Sequence, residues 1–470
     1  MKSQKRKCFS KNRDRLSEMP DDVIVHILSY LPAVDAVRTM LIRRFGNLWT
    51  LMSNLMFEDK EILNKIDPDC TWENNDAEWF PIFIRNVLML HKRPVIDKFH
   101  LLLEWVHSKS EAGDDVTMWL RFALDKQAKE IVFRDVGSEF INGDDFPDFL
   151  ISQSLVTLEL SHCFICKLPQ VNLGSLKKLI LCHTDMSDGI FQDFICGSPS
   201  LQELRIVEPF CCKYESISAP NIRKLSLIII EDDKDVDPWL LDFPKLKSLE
   251  LGINRIPKVI DVSSVRDVYL KELCFDMDDE NEFAGFNLFL EKFSCSDVFQ
   301  LSCNASEPFL HSIDDSRLLQ IRWKRVVLHL CIFCQSCLLG IYHLMRSSIH
   351  LEELIIYTDT SLTNESVCNT PSLFSGLDCK DSTDLPLVEL SNPCVMPKLR
   401  TVTLHGYGKA CKHQLQLVEF LLRSATVLEK LVIVPNKSQL TLMEKLVKLD
   451  FVTHVSSFQR SSPSARVLFL

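Results

Sequence analysis

The chain has 470 residues, of which 46% are hydrophobic and 25% charged, with only 13 glycines. That length fits about two or three folding units or one elongated repeat array. The composition excludes a disordered chain and long Gly-rich phosphate-binding segments. A formal net charge of −11 removes any general attraction to nucleic acid or to an anionic membrane, so neither is expected as a partner. The 18 cysteines lie in apolar runs with no secretory pattern ahead of them, which implies reduced thiols in the cytoplasm, the nucleus or both.

Along the chain, Lys2, Lys5, Arg6 and Lys7 read either as a nuclear import signal or as a solvated basic tail. Val23, Ile24, Ile27, Leu28 and Leu31 recur at helical spacing and predict a short amphipathic helix. Pro20 falls near its first turn, Asp21 and Asp22 suit the positive end of its dipole, and Pro32 stops it. Asp35 is expected to cap a second helix with Ala36, Val37 and Met40, and Leu48 and Trp49 supply a third apolar anchor. Helices this short need packing against each other or against a partner.

Residues 77–127 read as helical, with apolar steps of three and four in "WFPIFIRNVLMLHK" from Trp79 and "DDVTMWLRFALDKQ" from Asp114. A repeat of the form L-x-x-L-x-L comes next. It starts at Leu155, Leu176, Leu201, Ile222, Leu246 and Leu270, and again at Leu351, Leu399 and Leu428. The first six starts are 21, 25, 21, 24 and 24 residues apart, within the range of leucine-rich repeats. Each unit buries its strand face only by stacking on its neighbours, so an array is expected. Val326 to Met345 has the length of a membrane span, but His329, Gln335, Ser336 and His343 interrupt it, and a buried strand followed by a buried helix is the better expectation. The polar stretch from Asn369 to Pro393 reads as a long loop or insertion. After Leu399 the pattern is strand, helix, strand, polar helix, strand.

Leu16, Met19-Pro20, "ILSYLP" from Ile27, "DAVRT" from Asp35 and "NLW" from Asn47 resemble an F-box of the kind found in plant F-box proteins with leucine-rich repeats. "RTMLIRRFGNLW" is one residue shorter than the family's usual run and has Phe45 in place of its usual Trp. A deletion inside a helix turns all later residues of that helix by about 100°, so the second half of the box is expected to be weakened. "LRTVTLHGYG" from Leu399, "QLQLVEFLLRSATVLEKLVIVP" from Gln414 and "FQRSSPSARVLFL" from Phe458 resemble the FBD region that ends many such proteins.

The resemblance implies an α/β architecture. A short N-terminal three-helix F-box is followed by a leucine-rich-repeat solenoid, a curved parallel sheet with helices, and a C-terminal capping region. The divisions are a basic tail (1–13), the F-box (14–60), a helical linker and N-terminal cap (61–127), the solenoid (128–398) and an FBD-like repeat and cap (399–470). It also implies a substrate-recognition subunit of an SCF-type ubiquitin ligase, with the F-box on a Skp-type adaptor, and through it a cullin-RING ligase, and the repeats on an unknown target protein. The expected adaptor contacts are Leu16, Pro20, Ile24, Ile27, Leu28, Leu31, Pro32 and Val37, with internal packing as the alternative role for each. A ligase-independent repeat scaffold with a degenerate F-box is the rival reading.

No Walker loop, G-x-S-x-G elbow, H-E-x-x-H or dinucleotide fingerprint is present in the sequence. No catalytic residue, cofactor or metal is expected. Cys331, Cys334 and Cys337 have metal-like spacing, with His329 or Cys303 as a possible fourth ligand, but they lie amid Leu, Ile and Phe and read as buried apolar thiols. His162 with Cys163 and Cys166, and Cys211 with Cys212, fall at repeat turns and read as structural. The acidic runs Glu231 to Asp237 and Asp276 to Asn281 lack the EF-hand pattern and read as solvated loops.

Overall fold

The computed structural model describes residues 16, 18–59, 79–103, 112–135, 149–165, 170–186, 190–208, 216–229, 240–253, 258–273, 280–312, 321–330, 335–358, 395–406, 412–434 and 442–470. It divides into two compact units, Met1–Arg205 with Pro209–Cys212, and Ile206–Glu208 with Lys213–Leu470.

The first unit opens with helices α1 (Asp21–Leu28) and α2 (Ala33–Arg38) and two single 3₁₀ turns, Thr39–Leu41 and Leu48–Leu51. Pro20 and Pro32 each occupy the N-cap in extended conformation, where a missing N–H costs nothing. Asp35 therefore lies inside the first turn of α2 and not at its cap, and it pairs with Arg38 at 3.2 Å. α1 ends before Pro32, at Ser29, whose hydroxyl donates to the Val25 carbonyl at 2.8 Å. The expected third helix is reduced to the two 3₁₀ turns. The shortened run, Arg38 to Trp49, takes in the end of α2, both 3₁₀ turns and the residues between them, where Gly46 has a positive φ of 42°.

Five ladder strands of this unit run parallel in the order β1 (Asn54–Glu58), β2 (Lys98–Leu103), β3 (Glu130–Asp135), β4 (Thr157–Ser161) and β5 (Lys178–Cys182). Leu55 stands level with Phe99, Phe99 with Ile131, Ile131 with Leu158, and Leu158 with Leu179. The register places like with like, so each inward side chain is covered by those of the strands beside it. All five are buried, and full burial of such a side chain is worth about 1.5–3 kcal/mol. Helices α3 (Trp79–Leu90) and α4 (Ala112–Asp125) connect the first three strands, as the periodicity predicts. The sequence reading has no strand in that region, yet β2 lies between them. α5 (Ile190–Cys196) precedes β6 (Glu203–Val207), and the unit boundary falls within β6.

The second unit repeats the design with β7 (Lys224–Ile229), β8 (Ser248–Ile253), β9 (Asp267–Leu273), β10 (Val298–Leu301), β11 (Arg325–Leu330), β12 (Glu353–Thr358), β13 (Thr401–His405), β14 (Lys430–Val434) and β15 (Arg466–Phe469). All are parallel and paired in chain order. A second tier of short strands, Ser216–Ser218, Leu240–Asp242 and Lys258–Asp261, accompanies the first of these. The later crossovers are the helices α6 (Glu280–Glu291), α7 (Cys303–Ser312), α8 (Gln335–Ser347), α9 (Lys412–Ser424) and α10 (Leu442–Ser457). The segment 326–345 is strand then helix, and no helix among the described residues is long and apolar enough to cross a membrane.

One repeat is misplaced in the sequence reading. Leu270 is the third apolar residue of its unit and stands level with Leu251, while Val268 faces Leu249. The unit therefore starts at Val265, 19 residues after Leu246. A register shift after Leu251 brings Leu273 opposite Ile253, and this bulge makes "LKELCF" imitate a repeat. In β10 and just ahead of β11 aromatic residues stand where other units have leucine. Phe299 and Trp323 stack at 3.7 Å, and the indole N–H donates to the Phe293 carbonyl at 2.9 Å.

α7 and α8 pack closely at Gly340, where an added Cβ would meet the Leu310 carbonyl of the other helix. The obstacle is backbone, so Gly340→Ala is expected to force the helices apart at a cost of about 1–3 kcal/mol. Urea denaturation of wild type and variant checks this, the midpoint falling with little change in slope.

Candidate adaptor interface and recognition face

The helical cluster is held to the first ladder strand by Ser29. Its hydroxyl accepts the Ser53 N–H at 3.0 Å, and its carbonyl accepts the Asn54 side-chain amide at 3.0 Å. Arg44 closes the other side, donating to the Met19 carbonyl at 2.8 Å and pairing with Asp21 at 2.7 Å. Inside the cluster lie Val25, Ala33, Ala36, Trp49 and Met52.

Ile24 and Leu28 are also inside, at 2% and 3% exposure. The structure thus gives these two expected contacts the packing role. Leu31, Pro32 and Val37 are half-buried, and Leu16, Pro20 and Ile27 are exposed. What the sequence reading missed is the rest of the outer stripe of α1. Val23, Ile27 and Tyr30 succeed one another at steps of four and three, so they share one face, and Tyr30 is 70% exposed with its ring edge-on to His26 at 5.1 Å. After α2, Met40, Leu41 and Ile42 are exposed in succession, Leu41 to 86%. Their signal was legible: three large apolar residues in a row after a helix whose inward positions are already filled by Ala33 and Ala36. Exposed apolar residues gathered on so small a cluster mark an interaction site.

The strand residues between the buried ones point outward on each ladder. In the first unit Glu130 accepts from His100 at 2.8 Å and Lys98 at 2.9 Å. Burial pushes the Glu130 carboxyl up, but these two hydrogen bonds outweigh it and hold it below its ordinary value. His162 and His183 stack at 4.7 Å. In the second unit His329, Tyr357 and His405 stack in a row at 4.6 and 4.3 Å, and Gln300 lies 3.3 Å from His329. Each stands directly after the last apolar residue of its repeat, one column of the outward face. That position was readable from "VVLHL", "LIIYT" and "VTLHG". Among the described residues no cluster of three or more His, Cys, Asp or Glu could hold a metal ion. Cys337 is buried, while Cys331, Cys334, Cys166, Cys211, Cys212, Glu231 to Asp237 and Asn369 to Pro393 lie outside the described residues, as do 276–279 of the second acidic run.

The F-box family model matches residues 16–55, covering both helices and the outer stripe. The leucine-rich-repeat model described as "FBD-associated F-box protein At5g56370, LRR repeats" matches 116–265, and the FBD model matches 392–433. These three matches, in this order, are the F-box, leucine-rich-repeat and FBD domains of plant F-box/LRR/FBD proteins. Three Arabidopsis thaliana relatives carry the same combination of names. F-box/FBD/LRR-repeat protein At1g13570 is 27% identical over 97% of this chain and 98% of its own length. F-box/FBD/LRR-repeat protein At5g56420 is 27% identical over 53% of this chain and 60% of its length, and F-box/FBD/LRR-repeat protein At2g04230 is 29% identical over 56% and 57%. This chain thus spans little more than half the length of the latter two. F-box/LRR proteins are in general non-catalytic adaptors, and an F-box in general binds a Skp-type adaptor.

In this chain burial lowers the pKa of His329 and His405, and the charge of His405 lowers His329 further. His91 and His162 are lowered by burial in the same sense. The unfolded chain then takes up protons first as pH falls below about 6.5, so stability is complete above that value and declines as pH falls through the lower folded values. Denaturation midpoints are expected to be lower at pH 5.5 than at pH 7.5, with a smaller difference in the His329→Gln/His405→Gln variant.

Proposed function

We propose that this protein is the substrate-recognition subunit of an SCF-type ubiquitin ligase, its F-box seated on a Skp-type adaptor and its outward ladder face binding the protein to be ubiquitinated. The observation that carries the reading is the coincidence of the F-box match with the outer apolar stripe of Val23, Ile27, Tyr30, Met40, Leu41 and Ile42. Burying such side chains at the centre of an interface supplies most of its binding energy. The chain itself would perform no covalent step. Its contribution is effective concentration: a target held near a ubiquitin-charged enzyme presents its lysines to the thioester as if in an intramolecular reaction. The proposal places the protein in the cytoplasm, the nucleus or both, where its thiols stay reduced.

The test is titration of a purified Skp-type adaptor into the full chain. Ile27→Asp/Leu41→Asp alters exposed residues only, so it is expected to leave the circular dichroism unchanged and weaken binding by about 30-fold or more. Leu28→Asp buries a charge and is expected to disrupt the cluster itself. Folded wild type that binds no adaptor, or a double variant that binds as well as wild type, would overturn the proposal.

A further inference from the structure

A net charge of −11 gives the chain as a whole no attraction to anionic surfaces, but the ladder of the second unit does not spread its charges evenly. The residue directly after the first inward position of each unit forms a row along the strand starts, from β7 to β14. Backbone hydrogen bonds join the row, among them Lys247 N–H to the Arg223 carbonyl and Arg266 N–H to the Lys247 carbonyl, both at 2.8 Å. It opens with three cations in succession, Arg223, Lys247 and Arg266. From Arg266 onward the signs alternate and cancel. Asp297 pairs with Lys324 at 2.6 Å and lies 3.9 Å from Arg266, Glu352 falls between Lys324 and Arg400, and Arg400 pairs with Glu429 at 3.3 Å.

Beside that row Lys245, Arg322 and Lys398 each stand directly before the first inward residue of their unit. The Lys245 ammonium donates to the Asn221 side-chain oxygen and the Lys398 ammonium to His350 Nδ1, each at 3.0 Å, and neither contact removes a charge. Arg223, Lys245, Lys247, Arg322 and Lys398 have no ion pair among the described residues, and all are exposed. Like charges on neighbouring strands repel, so the rim carries a cost that an anionic surface would relieve. Apolar side chains share this rim. Ile349, Val395 and Val427, in the turns that lead into β12, β13 and β14, are 55%, 60% and 40% exposed.

At the spacing of paired strands the rim runs about 34 Å from β7 to β14, too far for one small anion to meet its cations together. An acidic protein segment would meet the cations and leave the three apolar side chains in water. A lipid surface takes up both, with headgroups at the cations and aliphatic side chains in the interface. We infer that this rim docks the protein on the surface of a bilayer containing anionic phospholipid. The contact is peripheral, and it is independent of the ligase reading because no F-box residue takes part in it.

The experiment is flotation of the full chain, without adaptor, on phosphatidylcholine vesicles that contain or lack phosphatidylserine. Phosphatidylserine is expected to raise the affinity by about tenfold or more, and added salt to remove that gain, because exposed charges are screened. Lys245→Gln/Lys247→Gln should weaken binding to the phosphatidylserine vesicles by about tenfold or more. Ile349→Ser/Val427→Ser should weaken it at unchanged charge, whereas Arg85→Gln, on α3 of the first unit, should leave it as it is. All these variants alter exposed side chains, and circular dichroism checks their fold. Equal flotation on both kinds of vesicle, phosphatidylserine binding that survives in Lys245→Gln/Lys247→Gln, or an equal loss in Arg85→Gln would overturn the inference. So would wild-type affinity in Ile349→Ser/Val427→Ser, the mark of an acidic protein partner.

Discussion

A parallel strand with apolar residues on alternate positions has no partner of its own for that face, and every other feature of this protein depends on how the face is covered. Each strand places its first, second and third inward residues level with those of its neighbour. The same rule reaches into the N-terminal helical cluster. Met52, Leu55 and Phe57 form the inward column of β1, all buried, so the helical cluster has a ladder strand as its direct continuation. Ser29 fastens α1 to that strand by hydrogen bonds to Ser53 and Asn54. The proposed adaptor surface is therefore carried on the first rung, without an intervening linker.

Confining stability to the inward column leaves the outward column free for recognition. That division explains why the outward residues are so mixed: a His-Glu-Lys cluster on β2 and β3, an aromatic row on β11 to β13, alternating charges at the strand starts. None of these groups is needed to bury a strand. Each sits at a fixed position of the repeat, so neighbouring units bring equivalent side chains together at the strand spacing. The ring separations of 4.6 and 4.3 Å are close to the distance between paired strands. A repeat protein thereby composes a binding surface one residue per unit.

Much of the ladder was legible because leucine marks it. Where leucine is replaced, the pattern disappears from view though the burial remains. Ile96, Phe99 and Leu101 form a full unit, as do Ala128, Ile131 and Phe133, and as do Trp323, Val326 and Leu328, all buried. An L-x-x-L-x-L search passes over each. The shift after Leu251 misled in the opposite direction, because a bulge lets one strand offer two overlapping matches. In the F-box the helices and both prolines were readable. The division of labour around α1 was not, because Ile24 and Leu28 share the helical spacing of Val23 and Ile27, and only the tertiary placement of Trp49 and Met52 decides which pair faces in.

The central claim is that the outer stripe of the helical cluster is an adaptor surface while the ladder stays free for another partner. Hydrogen–deuterium exchange of the full chain with and without a Skp-type adaptor tests it most directly. The account predicts slowed exchange in peptides covering Val23 to Tyr30 and Met40 to Ile42, with strands β7 to β14 unchanged. Protection confined to the ladder, with α1 unaffected, would contradict it.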